Sequence, residues 1–417
     1  MRLPVGYAVL VASLVLTPVV QAEDLLLEDS FDSEDMFDDE AFSDEDTDEL
    51  LAQAPYELWW QHSLVYDPSS FARPTNQDSE LHLEAETTVG LSGYADVDIK
   101  ASQNWGNGEF NAEIYSTTVQ LSTEQGAFKL GRYINSWGEV EGAGVLDVIN
   151  PAPGLTDTSR AFKPEWLVAY NHYMGPEELQ VFANVDAQVS AMPGIATTQQ
   201  GDKEWGLRYK VTGSGSDWAV YMGKFVQNAL VLGIVNSAPV TQANEYDLYG
   251  YSYNRAIDDD LIKFDMAWKS GAAHYVSGSF AAVDQLDMAL GAEINDGNRQ
   301  WLFSLVGSYL PDHSVGFSQV AINPVNMTPS IHAVDAWSAS YSLGISDSFA
   351  NDEFSWNLMT SGAINGNFGA LLGELTWDYT DNITWRFYAA GMQAKAGTAY
   401  AAMDGFQRLG VQFEQHF

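Results

Sequence analysis

The feature that most restricts this chain is a two-residue period that governs its final stretch and recurs along most of its length. In Phe406 to Phe417, Leu409, Val411, Phe413 and Phe417 fall on one parity, while Arg408, Gly410, Gln412, Glu414 and His416 fall on the other. Only an extended strand presents alternate residues to opposite faces, so this segment has one greasy and one polar side. Gln415 is a polar residue on the greasy parity and weakens the pattern a little.

Earlier segments repeat the pattern. Tyr56 to Tyr66 is aromatic-rich and reads as the first strand, with a loop over Asp67 to Asp78. Leu81, Leu83, Ala85, Thr87, Val89 and Leu91 then alternate with His82, Glu84 and Glu86. After Ser92-Gly93 the chain returns with Ala95, Val97, Ile99 and Ala101 opposite Asp96, Asp98 and Lys100, which is a hairpin. A phase slip is expected near Thr117. Trp205, Leu207, Tyr209 and Val211 oppose Glu204, Arg208 and Lys210, and Ile383, Trp385 and Phe387 oppose Thr384 and Arg386. Short turns at Ser92-Gly93, Glu124–Gly126, Gly175–Glu177, Gly213–Ser216, Ile257–Asp260, Asn295–Asn298 and Tyr379–Asn382 alternate with longer linkers. The longest linkers are Trp137–Lys163, Ala187–Asp202, Gln227–Asn244 and Pro311–Ala333.

The start of the chain reads as a secretory signal over residues 1–22: Arg2, an apolar run to Val20, then Val20-Gln21-Ala22. Residues 23–55 follow as an acidic arm. Glu23 to Glu49 holds 15 acidic residues and no base, punctuated by Phe31, Phe37 and Phe42. Self-repulsion of this kind keeps a segment disordered. The arm is either a solvated tail or a docking element for a basic periplasmic partner, with the three phenylalanines as anchors. Calcium is disfavoured because EF-hand spacing and its glycine are missing.

Residues 56–417 read as one domain. Without Arg2 and the 15 acids of the arm, 17 bases face 42 acids, which excludes a nucleic-acid footprint. There is no cysteine, so thiol chemistry is excluded. No stretch after the signal approaches the roughly 18 apolar residues of a membrane helix, so a membrane-spanning reading requires strands. Trp377 and Tyr379 before a short turn, with Trp385 after it, look like an interfacial girdle. The expected fold is all-β: a transmembrane antiparallel up-and-down barrel of about 18 strands, in the range of about 16–18. A large soluble sandwich or propeller would also alternate, but needs no aromatics at strand ends. The last strand resembles the closing strand of bacterial outer-membrane barrels. That likeness implies that Phe413 and Phe417 are read by the barrel-assembly machinery, and that the protein lies in the Gram-negative outer membrane, in contact with its lipid.

The most specific motif is Lys129-Leu130-Gly131-Arg132, then Trp137-Gly138-Glu139-Val140-Glu141-Gly142, then Asp147-Val148-Ile149-Asn150-Pro151. The segment is too long for a turn and too apolar to float in solvent. The expected answer is an inward-folded loop that narrows the lumen, either as structural anchoring or as a constriction that touches solute. Glu139, Glu141 and Asp147 are expected to meet lumen bases such as Arg208, Lys210, Arg386 or Arg408. Parity sets Arg132 beside Phe128 and Leu130 on the lipid side, so either a bulge at Gly131 turns Arg132 inward, the favoured reading, or the arginine lies near the membrane interface.

This motif, with weaker likeness at Trp205-Gly206-Leu207-Arg208 and from Asp217 onward, resembles a domain-of-unknown-function family of Gram-negative outer-membrane β-barrels. Members are often encoded beside inner-membrane exporters of the resistance-nodulation-division type that handle hydrophobic molecules. The chain departs from the family at Ala143-Gly144 and Ala152-Pro153, so basic ligand contacts there are not carried over. The resemblance implies envelope transport, working with a periplasmic carrier and an inner-membrane exporter.

Among the histidines, His62, His82, His172, His274 and His313 show no metal-ligand spacing, and no local catalytic set is present. Neither an enzyme nor a cofactor is expected, and His82 beside Glu84 reads as a hydrated wall pair. The lumen is expected to be acidic on early strands (Glu84, Glu86, Asp96, Asp98) and basic on later ones (Arg208, Lys210, Arg386, Arg408), a transverse field that tunes passage. The candidate lumen and constriction residues are therefore these together with Arg132, Trp137, Glu139, Glu141, Asp147 and Asn150. The expected function is a conduit for small amphiphilic or hydrophobic molecules. A general diffusion porin is the second reading, and a plugged structural or adhesive barrel the third.

Overall fold

The computed structural model describes residues 56–68, 74–90, 92–140, 143–151, 162–189, 195–228, 230–313, 316–322 and 329–417. The signal and arm readings, with Phe31, Phe37 and Phe42, lie outside the described residues, as does Glu141.

The strands in chain order are β1 (Tyr56–Tyr66), β2 (Asn76–Val89), β3 (Gly93–Asn104), β4 (Phe110–Thr123), β5 (Gly126–Tyr133), β6 (Glu165–Met174), β7 (Glu177–Asn184) and β8 (Ala196–Gln199). Next come β9 (Glu204–Thr212), β10 (Ser216–Val226), β11 (Val231–Val235), β12 (Ala238–Ala243), β13 (Glu245–Ile257), β14 (Asp260–Val276), β15 (Ser279–Asp296) and β16 (Arg299–Tyr309). The last are β17 (Phe317–Ile322), β18 (Pro329–Ala333), β19 (Trp337–Phe349), β20 (Phe354–Ala363), β21 (Phe368–Thr380), β22 (Ile383–Ala394) and β23 (Gln407–His416).

One sheet takes up 20 of these strands. Two of them, β17 and β18, form a hairpin hung on the top of β14. The remaining 18 make the wall of an antiparallel barrel. It closes where β1 pairs with β23, from Trp59↔His416 to Tyr66↔Leu409, and the Phe417 amide donates to the Leu58 carbonyl at 2.9 Å. Closure removes the free edges that hydrocarbon does not tolerate. The remaining strands, β8, β11 and β12, form a separate three-stranded sheet.

Parity assigns the two faces as the pattern requires. On β2, Leu81 and Leu83 are exposed on the outside while Glu80 and His82 are buried inside. The same holds for Val181 against Gln180 and Phe182 on β7, and for Leu290 against Ala289 on β15. An outward apolar belt around a polar lumen is the signature of a barrel built for lipid.

The short turns read from the sequence lie at one end of the wall and the longest connections at the other, where β14 and β15 also meet in a tight turn at Ser277-Gly278. Each short turn read from the sequence is present. One more joins β19 to β20 through Ala350, Asn351 and Asp352, three non-glycine residues at positive φ (58, 58 and 64°). The phase slip is a register break between Asp98 and Ile99 of β3, opposite Tyr115 of β4, two residues before Thr117. Aromatics gather at the short-turn end: Phe349 stacks on Phe354 at 5.1 Å, Phe354 on Trp377 at 5.7 Å, and Trp377 meets Tyr379 edge-on at 5.1 Å. The three longest linkers after the inward loop are not plain loops, since they carry β8, the β11–β12 hairpin and the β17–β18 hairpin.

Candidate functional site

The chain between β5 and β6 turns into the barrel. Trp137, Val140, Val145, Leu146, Val148 and Ile149 are all buried, and they form one cluster with Leu167, Phe182, Tyr221, Phe225, Tyr246 and Leu248 of the wall. Apolar area lost from water drives this docking.

Three levels hold the loop. At its neck, Asn150 accepts the Asn135 amide (2.8 Å) and donates to the carbonyls of Lys163 (2.9 Å) and Tyr133 (3.4 Å), tying both limbs together. Asn228 donates to the Val148 carbonyl from the wall side (2.7 Å). In the middle, the Trp137 ring sits among Phe182 (5.2 Å), Tyr221 (5.2 Å) and Phe225 (5.6 Å). Its Nε1–H donates to Gln180 Oε1 at 2.7 Å, which satisfies the one polar atom of the buried indole. At the tip, Gly138 takes φ +101°, and the next two amides donate to the Asp265 carboxylate (Glu139 N 3.1 Å, Val140 N 2.9 Å). Asn254 donates to Glu139 Oε2 at 2.6 Å.

The wall is cut to receive these side chains. A β-carbon on Gly206 would overlap the Trp137 ring, and one on Gly250 would overlap Leu146 Cδ2. At Gly291 it would lie 3.0 Å from Val140 Cγ1. Among the described residues, the apolar cluster of loop and wall covers the inner face from β6 to β15 and takes in no residue of β1–β4 or β19–β23.

The expected loop contacts change in detail. Trp137, 1% exposed, is a structural anchor and does not face a passage. Glu139 takes its hydrogen bond from Asn254, and Asp147 accepts the Trp137 amide at 3.4 Å. The bases expected to meet the loop acids are engaged nearer home: Arg208 with Glu178 (2.7 Å), Lys210 with Asp217 (3.5 Å) and Arg386 with Glu414 (3.7 Å). Adjacent-strand partners reach them at no cost in chain entropy. The Arg408 guanidinium lies over the Phe406 ring at 4.9 Å.

Arg132 corrects a second expectation. Register runs unbroken through Gly131 against both β4 and β6, so no bulge turns it inward. Its guanidinium instead lies beyond the last β4–β5 pair, donating to the Ile114 and Pro164 carbonyls, 3.6 Å from Glu113. It gives a charged donor to one carbonyl within β4 and to one just ahead of β6.

On the wall outside that cluster, acids face acids. Glu57 of β1 stands directly opposite Glu84 of β2, which stands opposite Asp98 of β3, and Glu86 stands opposite Asp96. All five point inward, and the other four bear electrostatically on Glu84. Like charges directly opposite across strands repel. Partial relief comes from His82 (3.3 Å from Asp98), from Tyr94 O–H to Glu86 (2.9 Å) and from Thr118 O–H to Asp96. Lys100 is taken by Glu80 at 3.3 Å, and Lys129, which Asp96 feels at longer range, lies 4.3 Å over the Tyr133 ring. Among the described residues no Lys or Arg forms an ion pair with Glu57, Glu84, Glu86 or Asp96. The expected His82–Glu84 wall pair is replaced: His82 lies between Glu80 and Asp98 and stacks on Trp59 at 4.5 Å. The lumen thus carries a lopsided charge, since the later bases are neutralised locally while the early acids are not.

Sequence reasoning passed over Asp265, Asn254 and Gln180. Parity alone puts Asp265 inside, because Phe264 and Met266 flank it on the lipid side, but nothing local says what it binds. Phe413 sits on the outer face between Trp60 (5.6 Å) and Trp385 (4.9 Å), and Phe417 is exposed. Among the described residues no group of three or more His, Asp or Glu is arranged to hold a metal ion.

The fold is similar to solved outer-membrane channels of Pseudomonas aeruginosa. OccK5 (OpdH) superposes with a TM-score of 0.55 at 8% identity, covering 87% of this chain and 97% of that one. OpdK, solved with vanillate, gives 0.55 at 9% identity, with 87% and 98% covered. OprD gives 0.54 at 9% identity, with 87% and 94% covered. No protein-family model matches the sequence, and no curated protein matches it.

Proposed function

We propose that the protein is an outer-membrane channel for small solutes, with a lumen that favours cations and the cationic or neutral heads of amphiphiles. The observation that carries this is the pairing of a loop docked over β6–β15 with a wall outside that apolar cluster on which Glu57, Glu84, Glu86, Asp96 and Asp98 face one another. A ring or wall of carboxylates at a constriction is how protein pores select cations. Catalysis has no part in this reading.

The finer reading is export of amphiphilic or hydrophobic molecules, with a periplasmic carrier and an inner-membrane exporter engaging the acidic arm. It is supported by the motif of Gly131 to Pro151 and by the charge of Glu23 to Glu49. A general diffusion porin is the second reading, favoured by the likeness of fold to OccK5 and OprD.

Two experiments test these readings. Liposomes carrying the purified protein should swell fastest with small cationic solutes, and swelling no faster than in protein-free liposomes contradicts a channel. Deleting residues 23–49 should abolish capture of periplasmic partners and export while leaving swelling unchanged. Normal export in that deletion leaves the diffusion porin as the better account.

A further inference from the structure

We propose that Asp265 is the positioning residue that fixes the bore of this channel, by clamping the tip of the inward loop to β14. The inference rests on the channel reading for its consequence, but its geometry stands alone. Asp265 is 1% exposed and lies on the inner face of β14. Both its oxygens accept the Glu139 amide at 3.1 Å, and Oδ2 also accepts Val140 N at 2.9 Å. Gly138 lets the chain wrap the carboxylate, since its φ is +101° and a β-carbon there would lie 3.0 Å from Oδ2.

This contact differs in kind from the rest of the seat. The clustering of Trp137, Leu146 and Ile149 is apolar and non-directional, so it holds the body of the loop without fixing its tip. Two converging amides on one ionised acceptor are directional and charge-assisted. A carboxamide replaces it only in part, because Asn loses the charge, keeps one acceptor oxygen and sets an N–H₂ where Oδ1 now takes the Glu139 amide. Asp265 is therefore the group that orients the backbone of the tip, with Asn254 holding only the Glu139 side chain, and the height of the tip above the acidic wall sets the opening.

The test uses the absence of native cysteine. Val140 is 7% exposed, so Val140→Cys should react slowly with a membrane-impermeant maleimide. Adding Asp265→Asn should speed labelling about tenfold or more, through local opening of the tip. Single-channel conductance of Asp265→Asn should rise about twofold with added noise, while heat-modifiable gel migration of the folded barrel stays unchanged. A Val140→Cys/Gly291→Cys pair, whose side chains start from the 3.0 Å approach, should form a disulfide. Oxidised in the Asp265→Asn background, it should restore the wild-type conductance, and reduction should release it again. Equal labelling of Val140→Cys with and without Asp265→Asn overturns the clamp. A wild type that never conducts, with labelling still accelerated by Asp265→Asn, keeps the clamp and refutes the channel.

Discussion

The benzo edge of the Trp137 indole rests on the bare backbone of Gly206, at a point where a β-carbon would overlap the ring. Loop and wall are matched across that contact, and Gly206→Ala should push Trp137 off its seat. Overpacking of this kind costs about 1–3 kcal/mol. Trp137→Ala, which empties the site among Phe182, Tyr221 and Phe225, should cost about 3–5 kcal/mol. Denaturant unfolding in detergent measures both, and an unchanged midpoint for Gly206→Ala would show that the loop does not bear on the wall.

The facing carboxylates of β1–β3 give a prediction of two signs. Neutralising Glu84 with Gln should relieve repulsion from Glu57 and Asp98 and raise stability by about 0.2–1 kcal/mol. The combined Glu57→Gln, Glu84→Gln and Asp96→Asn variant should lose cation preference. Stability and ion selectivity should move in opposite directions, as measured by unfolding midpoint and by permeability ratio on the same preparation.

Arg132 donates to the Ile114 carbonyl of β4 and the Pro164 carbonyl ahead of β6 without entering the lumen. Arg132→Ala leaves the Ile114 and Pro164 oxygens without that donor, with a loss of about 1–3 kcal/mol. Conductance should not change. A large rise in conductance would mean that the guanidinium lines the passage after all.

The closing strand carries a prediction about assembly. Phe413 bridges Trp60 and Trp385 across the β1–β23 seam, and aromatic pairs add about 0.5–1.5 kcal/mol each beyond burial. Phe413→Ala should weaken the seam, and removing Phe417 should lower the amount of heat-modifiable barrel recovered from the outer membrane. Full recovery of both variants would remove the role given to this strand.

Much of the wall was legible because parity is local. Leu81 against His82, or Leu409 against Arg408, needs only the two-residue period to be placed. The β19–β20 turn was missed because Ala350, Asn351 and Asp352 reach positive φ without a glycine or proline to mark it. Arg132 obeyed its parity, and the favoured bulge at Gly131 is absent because carbonyls beyond the end of β5 take the charge. The loop was recognisable from its apolar content, since Val145, Leu146, Val148 and Ile149 need a surface. Its partners were not, because Asp265 lies 125 residues beyond Val140 and meets it only through closure. The charge balance of the lumen was half legible: the acids read correctly, but the bases are cancelled by neighbours such as Glu178 and Asp217 that single-strand reading cannot pair.

Reversal potential is the most direct test of the central claim. The purified mature chain, placed in a planar bilayer under a potassium chloride gradient, should give discrete conductance steps whose zero-current voltage lies toward the potassium equilibrium potential. Steps that reverse toward the chloride potential, or a membrane that stays silent, would contradict a wet lumen governed by the carboxylates of β1–β3.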